Sequence, residues 1–420
     1  MAESEHVTAP QPSTRSHVAS PTDTDRYARK AILASASGYA MDGFDLLILS
    51  FSMAAIASDF GISKTAAGSL TTATLWGAVL GGIIFGVLAD KLGRVRMLTW
   101  SILVFAVFTG LCAAAQDFTL LTVLRFMAGV GLGGEFGIGM ALAAEAWPNR
   151  LRARATALVG LGWQFGVLMA ALCSPFIIEH WGWRGLFALG VLPALGAFFI
   201  RRGVGEPSRF EQRKERPIAS WQEQLRGLGR DRTTLKATLG ILVLCSVQNF
   251  GYYGIMTWLP TYLATDFGYS LTRSGLWTSV TVLGMACGIF CFGQVADRLG
   301  RRPAFWAYQL GAAVSVLAYS RLTSSMGLLI GGAVMGFFVN GMLGGLGALM
   351  AEAYPTDIRA TAENVLFNIG RAVGGLAPMT IAFISAEHGF SLAIALLAAL
   401  YVLDAAVMPL IPERRGAQLA

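Results

Sequence analysis

The sequence predicts an all-α integral membrane protein in which twelve transmembrane helices form two pseudo-symmetric six-helix bundles. Three observations predict this fold: the composition, a series of twelve apolar runs, and an internal repeat. Hydrophobic residues make up 55% of the 420 residues and charged residues only 14%, whereas a typical soluble domain is about 25% charged. So little charge cannot cover a soluble surface, which argues against a soluble enzyme, a secreted disulfide scaffold and a disordered protein.

Each apolar run is long enough to cross a membrane, because about 20 helical residues span a hydrocarbon core of about 30 Å. The runs lie near 30–57, 66–89, 97–115, 118–145, 154–178, 184–201, 237–264, 273–296, 304–322, 326–353, 361–385 and 389–411. These twelve runs account for most of the chain between its polar ends.

Polar segments divide the chain into parts. Residues 1–29 are rich in Ser, Thr, Pro and charge and lack the apolar region of a signal peptide, so they predict a disordered cytoplasmic tail. The polar stretch 202–236 predicts a cytoplasmic linker between an N-terminal bundle, 30–201, and a C-terminal bundle, 237–411. Residues 412–420 form a second short tail.

The distribution of Lys and Arg predicts the orientation. If the N-terminus is cytoplasmic, 26 of the 32 basic residues fall in cytoplasmic segments and four fall in the opposite loops. Cytoplasmic loops carry such an excess in membrane proteins, so both termini are expected on the inner side of a bacterial-type cytoplasmic membrane. The net charge of +7 then faces anionic lipid headgroups and does not call for nucleic acid.

The two halves repeat at a constant offset. The segment Gly86–Arg94 recurs 207 residues later as Gly293–Arg301. The same offset relates Glu145, Pro148 and Arg152 to Glu352, Pro355 and Arg359. Two unrelated motifs at one offset predict a duplicated six-helix unit. Parallel repeats of this kind pack about an axis along the membrane normal and leave a cavity between them, as alternating access requires.

These loops carry a family resemblance. Gly86–Arg96 and Gly293–Arg302 resemble the loops between helices 2 and 3 and between helices 8 and 9 of the major facilitator superfamily. Arg125–Gly129, followed by Gly133-Gly134-Glu135, is similar to its fourth helix. The resemblance covers about 30–411 and implies the major facilitator fold and a transporter, not an enzyme.

A narrower resemblance rests on four short elements. They are Asp42–Asp45, Gly133–Gly137, Glu145–Pro148 and Trp181–Phe187. Together they resemble the sialate/lactate proton symporters and, less closely, the aromatic acid–proton symporters. The aromatic acid group carries a small-residue/Pro-Asn segment in helix 4, where this chain reads Glu135-Phe-Gly-Ile-Gly, and this difference favours the sialate/lactate side.

Ionisable residues at membrane depth are costly and usually functional. The candidates are Asp42, Asp45, Arg125, Glu135, Arg371 and Asp404. Asp42 and Asp45 are three residues apart and share a helix face. Because ionising two such close carboxylates is unfavourable, one of them readily holds a proton. We therefore expect proton coupling at this pair, with Asp45 slightly favoured.

Alternative roles for these carboxylates stay open. One Asp could instead cap a kink at Gly43 or pair with a cation on helix 11. Glu135 is a second candidate for coupling, or it could tie helix 4 to a neighbouring helix. For Asp404, in helix 12, a structural role is favoured.

Arg125 and Arg371 predict an anionic substrate, because a guanidinium binds a carboxylate through two parallel hydrogen bonds. The alternative is a permanent salt bridge to Asp42, Asp45 or Glu135. Neutral polar residues are expected to orient the ligand: Gln164, Gln248, Asn249, Tyr252, Asn340 and Asn368. Hydrogen bonds between helices are an equally good interpretation for any one of them.

The resemblance also implies a gating role for the charged residues of the paired loops. In the superfamily these groups hold the two halves together when the inner gate is shut. The matching residues here are Asp90, Arg94, Glu145, Arg152, Asp297, Arg301, Glu352 and Arg359.

The sequence thus predicts proton-coupled symport of a small organic carboxylate: a lactate-type acid, an aromatic acid or a sialic acid. A drug–proton antiporter is the first alternative, but helix 5 lacks the Gly-Pro-x-x-Gly-Gly element of that group. A sugar carrier is the second, although sugars need no cationic pair. A sensor that binds without transport is the third, although no long cytoplasmic domain is available for signalling.

The expected partners are a small organic anion, the proton and the lipid bilayer, with no nucleic acid, no metal and no cofactor, and a monomer is expected to function. The cysteines support this, because Cys112, Cys173, Cys245, Cys287 and Cys291 all lie in apolar runs without other metal-ligating residues nearby. The proton gradient is expected to drive transport.

Overall fold

The computed structural model describes residues 21–192, 205–206 and 221–414. These residues form fifteen α-helices and two short 3₁₀ helices and contain no strand. The helices are α1 Pro21–Asp59, α2 Lys64–Leu92, α3 Arg94–Cys112, α4 Phe118–Leu132, α5 Glu135–Ala146, α6 Arg152–Leu189, α7 Trp221–Gly227, α8 Arg232–Thr265, α9 Leu271–Leu299, α10 Arg301–Tyr319, α11 Ser325–Gly341, α12 Leu343–Ala353, α13 Arg359–Gly374, α14 Ala377–His388 and α15 Phe390–Val407. The 3₁₀ helices are Asn149–Leu151 and Met408–Leu410.

The predicted all-α membrane fold is confirmed. Ten segments among the described helices are long and apolar enough to cross a membrane. The ninth predicted span corresponds to α10, which is 19 residues long but carries two arginines in its first turn and a buried Gln309. The sixth predicted span, 184–201, is described only as far as Leu192.

Some predicted boundaries differ from the helices. The first helix begins at Pro21, inside the predicted disordered tail 1–29, because a helix can continue beyond the hydrocarbon core with charged residues in water. Residues 1–20 of that tail lie outside the described residues, as does most of the predicted linker 202–236. Within that linker, α7 forms a short helix.

Three spans predicted as continuous are each built from two helices. α4 gives way to α5 at Gly133 and Gly134, α11 to α12 at Met342, and α13 to α14 at Gly375 and Leu376. The backbone stays in the right-handed helical region at these junctions, with φ and ψ of −59° and −24° at Gly133. The chain therefore continues in one direction across each break.

The turns repeat at the same offset as the sequence motifs. Every described residue with positive φ is a glycine. The six form three pairs 207 residues apart: Gly61 and Gly268 (62° and 66°), Gly93 and Gly300 (116° and 110°), and Gly182 and Gly389 (65° and 82°). Glycine alone adopts such angles without strain. Gly182 introduces a kink inside α6, at the position equivalent to Gly389, which separates α14 from α15.

The starts of several helices also repeat. Ser63 and Ser270 begin α2 and α9, and Asp117 and Ser324 begin α4 and α11, again 207 residues apart. Each side chain accepts a hydrogen bond from the backbone N–H three residues on. Such caps satisfy amide groups that a helix start leaves without a partner.

Glycines bring helices of each half into backbone contact. A Cβ added at Gly81 of α2 would lie 1.9 Å from the carbonyl oxygen of Val130 on α4. At the equivalent Gly288 of α9, a Cβ would lie 2.0 Å from the carbonyl oxygen of Phe337 on α11. Small residues permit this close approach in membrane proteins, and it recurs in both bundles.

We predict that Gly81→Ala destabilises the protein, because α2 and α4 must separate to admit the methyl group, at a cost of about 1–3 kcal/mol. The measurement is the midpoint of thermal unfolding in detergent. Gly68→Ala on the same helix is the matched control, since a Cβ there meets nothing within 4 Å. Equal midpoints for the two variants would contradict the close packing.

Candidate functional site

A cavity lies between the two halves near the middle of the bundle. Its volume is about 10 Å³, room for roughly one water molecule, so its own side chains nearly fill it in this state. The first half contributes Tyr39 of α1 and Trp163 of α6. The second half contributes Gln248, Asn249, Tyr252, Tyr253, Asn340, Leu343, Phe367 and Arg371. The lining thus combines aromatic rings, amides and a single guanidinium.

An ion pair between the two halves borders this cavity. Arg371 of α13 donates from Nη1 to Oδ2 of Asp42 at 2.9 Å and from Nη2 to Oδ1 at 2.6 Å. Both residues are buried, with 1% relative exposure each. Two parallel charge-assisted hydrogen bonds make this a strong and directional contact. The structure therefore has the alternative arrangement, in which Asp42 pairs with a cation of the eleventh predicted span, 361–385.

Aromatic groups surround the Arg371 guanidinium. Its Nε donates to the hydroxyl of Tyr253 at 3.1 Å. Its Cζ lies 5.1 Å from the centroid of Trp163 and 5.9 Å from that of Phe367, distances at which a cation is attracted to a ring face. Trp163 Nε1 donates to the hydroxyl of Tyr252 at 3.0 Å across the interface. These contacts fix Arg371 at the cavity wall.

Amide side chains of the cavity keep unused hydrogen-bonding capacity. Gln248 Nε2 donates to Asn340 Oδ1 at 2.8 Å. Among the described residues, Oε1 of Gln248 and Nδ2 of Asn340 have no hydrogen-bond partner. Buried polar groups without partners are unusual in a protein interior. One acceptor and one donor are therefore available to a molecule in the cavity.

Asp45 and Arg125 form a second ion pair, away from the cavity lining and within the first half. Arg125 donates from Nη1 and Nη2 to the two carboxylate oxygens of Asp45 at 3.0 and 2.5 Å. Thr109 donates to Asp45 at 3.3 Å, and Arg125 Nε donates to Thr74 at 3.3 Å. Arg125 therefore does not face Arg371 across a shared site.

The other predicted site residues fall in different places. Glu135 begins α5, and its Oε1 accepts a hydrogen bond from Ser101 of α3 at 3.3 Å. Gln164 is buried, and neither of its side-chain polar atoms has a partner in the described part of the chain. Asn368 donates to the carbonyl oxygen of Gly133 at 2.8 Å and so joins the halves outside the cavity. Asn249 lines the cavity but donates to the carbonyl oxygen of Cys245 at 2.8 Å.

The eight charged residues of the paired loops meet at one end of the bundle, which we call the charged end. Asp90 accepts hydrogen bonds from the backbone N–H of Ala360 at 3.3 Å and of Thr361 at 2.8 Å. Ala360 and Thr361 lie at the start of α13, where helix N–H groups favour a negative charge. Asp297 does the same at the start of α6, with Ala153 N at 3.1 Å and Arg154 N at 3.2 Å.

Ion pairs cross between the halves at the charged end. Arg359 donates to Glu145 at 2.6 Å, and Arg152 donates to Glu352 at 3.1 Å. Each glutamate also meets an arginine of its own half: Arg94 lies 3.4 Å from Glu145, and Arg301 lies 2.7 Å from Glu352. These side chains are at most 2% exposed. The charged end is therefore closed by two equivalent networks.

Comparison with known proteins agrees with this architecture. The family model described as Major Facilitator Superfamily matches residues 35–275 and 247–419. The chain belongs to the major facilitator superfamily. Its family comprises transporters, not enzymes, and this member is a multi-pass membrane protein.

This major facilitator has relatives of similar length. It is 57% identical over 399 residues to a candidate metabolite transport protein of Haemophilus influenzae, covering 94% of this chain and 98% of that protein. It is 30% identical to the cis,cis-muconate transport protein of Acinetobacter baylyi, over 86% of this chain and 88% of that protein. It is 28% identical to the sialic acid transporter NanX of Escherichia coli, covering 87% and 89%.

The fold of this major facilitator matches solved structures. The proton:xylose symporter XylE bound to 6-bromo-6-deoxy-D-glucose aligns with a TM-score of 0.80 at 18% identity, covering 94% of this chain and 98% of that one. The expectation of a twelve-helix major facilitator fold is confirmed. At this level of sequence identity, the similarity to XylE shows the fold only.

Two residues escaped the sequence reasoning. Tyr39 lines the cavity and packs 5.3 Å from Trp163, ring centroid to ring centroid. A tyrosine in an apolar run carries no distinguishing signal. Glu363 is fully buried in α13, and a signal for it exists, because an acidic residue two positions inside the predicted span 361–385 is as unusual as those we selected.

We predict that Asp45→Asn lowers stability by about 3–5 kcal/mol, since it leaves the buried guanidinium of Arg125 without a counter-charge. The double variant Asp45→Asn with Arg125→Gln should lose less, because no charge is then left unpaired. The measurement is urea or thermal unfolding of the purified protein. Asp59→Asn is the control, since its pair with Arg184 is about 42% exposed and contributes little; an equal loss there would contradict the interpretation.

Proposed function

We propose that this major facilitator is a secondary active transporter that takes up a small organic carboxylate together with a proton by alternating access. The observation that supports this most directly is the Asp42–Arg371 ion pair at the wall of the central cavity. A guanidinium beside a cavity is a binding group for a carboxylate, and its present partner is a group that can be neutralised by a proton.

The pair suggests how the two solutes are coupled. While Asp42 is ionised, it occupies both terminal nitrogens of Arg371. Protonation of Asp42 removes that competing charge, and the guanidinium then binds the substrate carboxylate instead. Loss of the substrate restores the ion pair and expels the proton. One proton and one monocarboxylate therefore travel together, because each makes room for the other.

Asp45 is the weaker candidate for this step on geometric grounds. Its partner Arg125 does not line the cavity, and Thr109 donates a further hydrogen bond to it. Both of its carboxylate oxygens are therefore occupied by donors of the first half, away from the cavity. We propose a supporting role for this pair, which fixes α1 against α4, and we assign the coupling proton to Asp42. Glu135 lies farther along the same half and is proposed to link α5 to α3.

The charged end is proposed to be the cytoplasmic gate. The excess of Lys and Arg lies on this side of the bundle, as expected for cytoplasmic loops. Its two ionic networks hold the halves together, which corresponds to a transporter closed toward the cytoplasm. Opening requires the ion pairs Arg359–Glu145 and Arg152–Glu352 to break, so that water solvates each side chain in place of its partner. We place both termini in the cytoplasm of a bacterial-type inner membrane, and the proton gradient supplies the energy without a cofactor.

The cavity lining favours a compact planar acid. Five of its residues are aromatic, and the rings of Trp163 and Phe367 already lie near the guanidinium. Once the halves move apart and the cavity widens, an aromatic or unsaturated acid can stack on these rings while its carboxylate meets Arg371. The available groups on Gln248 and Asn340 can bind a ring substituent. The muconate transport protein among the relatives is named for a substrate of this type.

We predict that, when the outside is acidified, proteoliposomes containing the protein accumulate radiolabelled benzoate faster than protein-free liposomes, whose rate is subtracted because neutral benzoic acid crosses lipid unaided. The driving force is up to about tenfold per pH unit for one coupled proton. Asp42→Asn should abolish this accumulation but retain benzoate exchange, because the amide no longer competes for Arg371 and no longer takes up a proton. Asp404→Asn, which changes a carboxylate bonded to Gln309 in the second half, is the control and should transport normally. Undiminished accumulation by Asp42→Asn would rule out the coupling role.

We also predict that benzoate raises the unfolding midpoint of the purified protein more than lactate or N-acetylneuraminate at equal concentration. A ligand at a hundred times its dissociation constant stabilises by about 2.7 kcal/mol. Arg371→Lys should lose most of this shift, since an ammonium cannot form the paired hydrogen bonds. A larger shift with lactate or N-acetylneuraminate would assign the substrate class differently.

A further inference from the structure

Glu363 is a buried carboxylic acid to which no described residue donates a hydrogen bond. It lies on α13, one turn after Arg359, and its relative exposure is 0%. Both carboxylate oxygens are buried without a hydrogen-bond partner among the described residues. An ionised carboxylate in such a place has lost its hydration without gaining a substitute, which is strongly unfavourable.

The charges around Glu363 are already balanced without it. The charged groups that act on it are Arg359 on its own helix, Glu145 on α5, Arg94 at the start of α3 and Asp90 on α2. They are two cations and two anions in mutual contact at the charged end. An ionised Glu363 would add an uncompensated negative charge to this dry region, whereas a protonated Glu363 leaves it neutral.

Within the described part of the chain, the other helices packed against α13 supply no counter-charge. Their remaining charged residues with described side chains are Lys91 on α2, Glu135 on α5, Glu223 and Arg226 on α7, Arg232 and Lys236 on α8, and Glu352 on α12. Those on α7 and α8 are exposed to solvent, and Lys91 is partly exposed at the end of α2. Glu352 is paired with two arginines, and Glu135 is itself acidic.

The internal repeat offers a direct comparison. The residue 207 positions before Glu363 is Thr156, which lies beside the second ionic network. That network also contains two cations and two anions, from Arg152, Arg301, Asp297 and Glu352. Thr156 is a neutral hydroxyl, and it donates a hydrogen bond across the interface to the carbonyl oxygen of Gly344 at 3.0 Å. The equivalent position thus carries a neutral group with an O–H to donate, which a carboxyl group becomes only when it is protonated.

We propose that Glu363 is a proton-binding site that controls the charged end: it holds a proton while this end is closed and loses that proton when the end opens to solution. The proton exchanges with one side only, so this site is distinct from the coupling carboxylate proposed above. Because the closed state binds the proton more tightly, low pH favours the closed state and rising pH favours the open state.

The direction of this pH dependence separates Glu363 from its neighbours. The carboxylates of the two ionic networks lose their charge as pH falls, and their ion pairs then weaken. Networks acting alone would therefore open the charged end in acid. Among the carboxylates at the charged end, one that is neutral in the closed state gives opening in alkali.

Hydrogen–deuterium exchange of the purified full-length protein, without substrate or proton gradient, tests this. The peptide containing the start of α13 reports on the charged end, because the N–H groups of Ala360 and Thr361 donate to Asp90 there. After correction for the intrinsic rate, wild-type exchange should accelerate as the pH rises, approaching about tenfold per unit for one linked proton. Glu363→Gln, which mimics the protonated acid, should exchange slowly throughout.

Two further variants complete the test. Glu363→Leu is also uncharged at every pH and should likewise show no alkaline acceleration, which guards against a local defect of the glutamine. Asp404→Asn removes a different buried carboxylate and should keep the wild-type response. The proposal is overturned if wild-type exchange does not accelerate in alkali, or if Glu363→Gln retains the acceleration. Because no transport is measured, this result is independent of whether Asp42 couples proton and substrate.

Discussion

Every charge at membrane depth in this protein requires an opposite charge or a proton, because neither lipid nor apolar side chains can solvate an ion. The structure meets this requirement with partners from different helices. Asp42 on α1 and Arg371 on α13 neutralise each other across the two halves. Breaking such a pair leaves a buried ion, so whatever replaces Asp42 must itself carry a negative charge or arrive with a proton change.

The same constraint organises the charged end in a symmetric way. Each half supplies one glutamate that meets an arginine of the other half: Glu145 meets Arg359, and Glu352 meets Arg152. The interface there consists of polar contacts that water can replace, whereas the interiors of the halves are held by apolar packing. The charged end can therefore separate by hydration of its ion pairs while each half stays intact.

Much of the fold was predictable from the sequence because it depends on local and repeated signals. Runs of apolar residues fix the spans, and the offset that relates Gly93 to Gly300 also relates their unusual backbone angles. The breaks between paired helices, such as the one at Gly133, were missed because their angles stay close to helical and leave no pattern in the residue types.

The candidate site was predictable in composition but not in pairing. The sequence identified Asp42, Asp45, Arg125 and Arg371 as costly residues, yet which carboxylate meets which arginine depends on how helices far apart in the chain rotate against each other. Arg125 therefore lies with Asp45 and not at the cavity. Glu363 could have been selected by the same criterion, but its lack of a partner is a property of the folded interface alone.

The contact between α2 and α4 at Gly81 has a mechanical consequence. Side chains can change rotamer when neighbouring helices move, but two backbones in direct contact cannot approach further without breaking helical hydrogen bonds. This helix pair and its counterpart at Gly288 are therefore expected to move as rigid units. Deformation then concentrates where the halves meet. Because the contacts there are buried ion pairs, salt in the surrounding solution screens them only after water has entered between the halves.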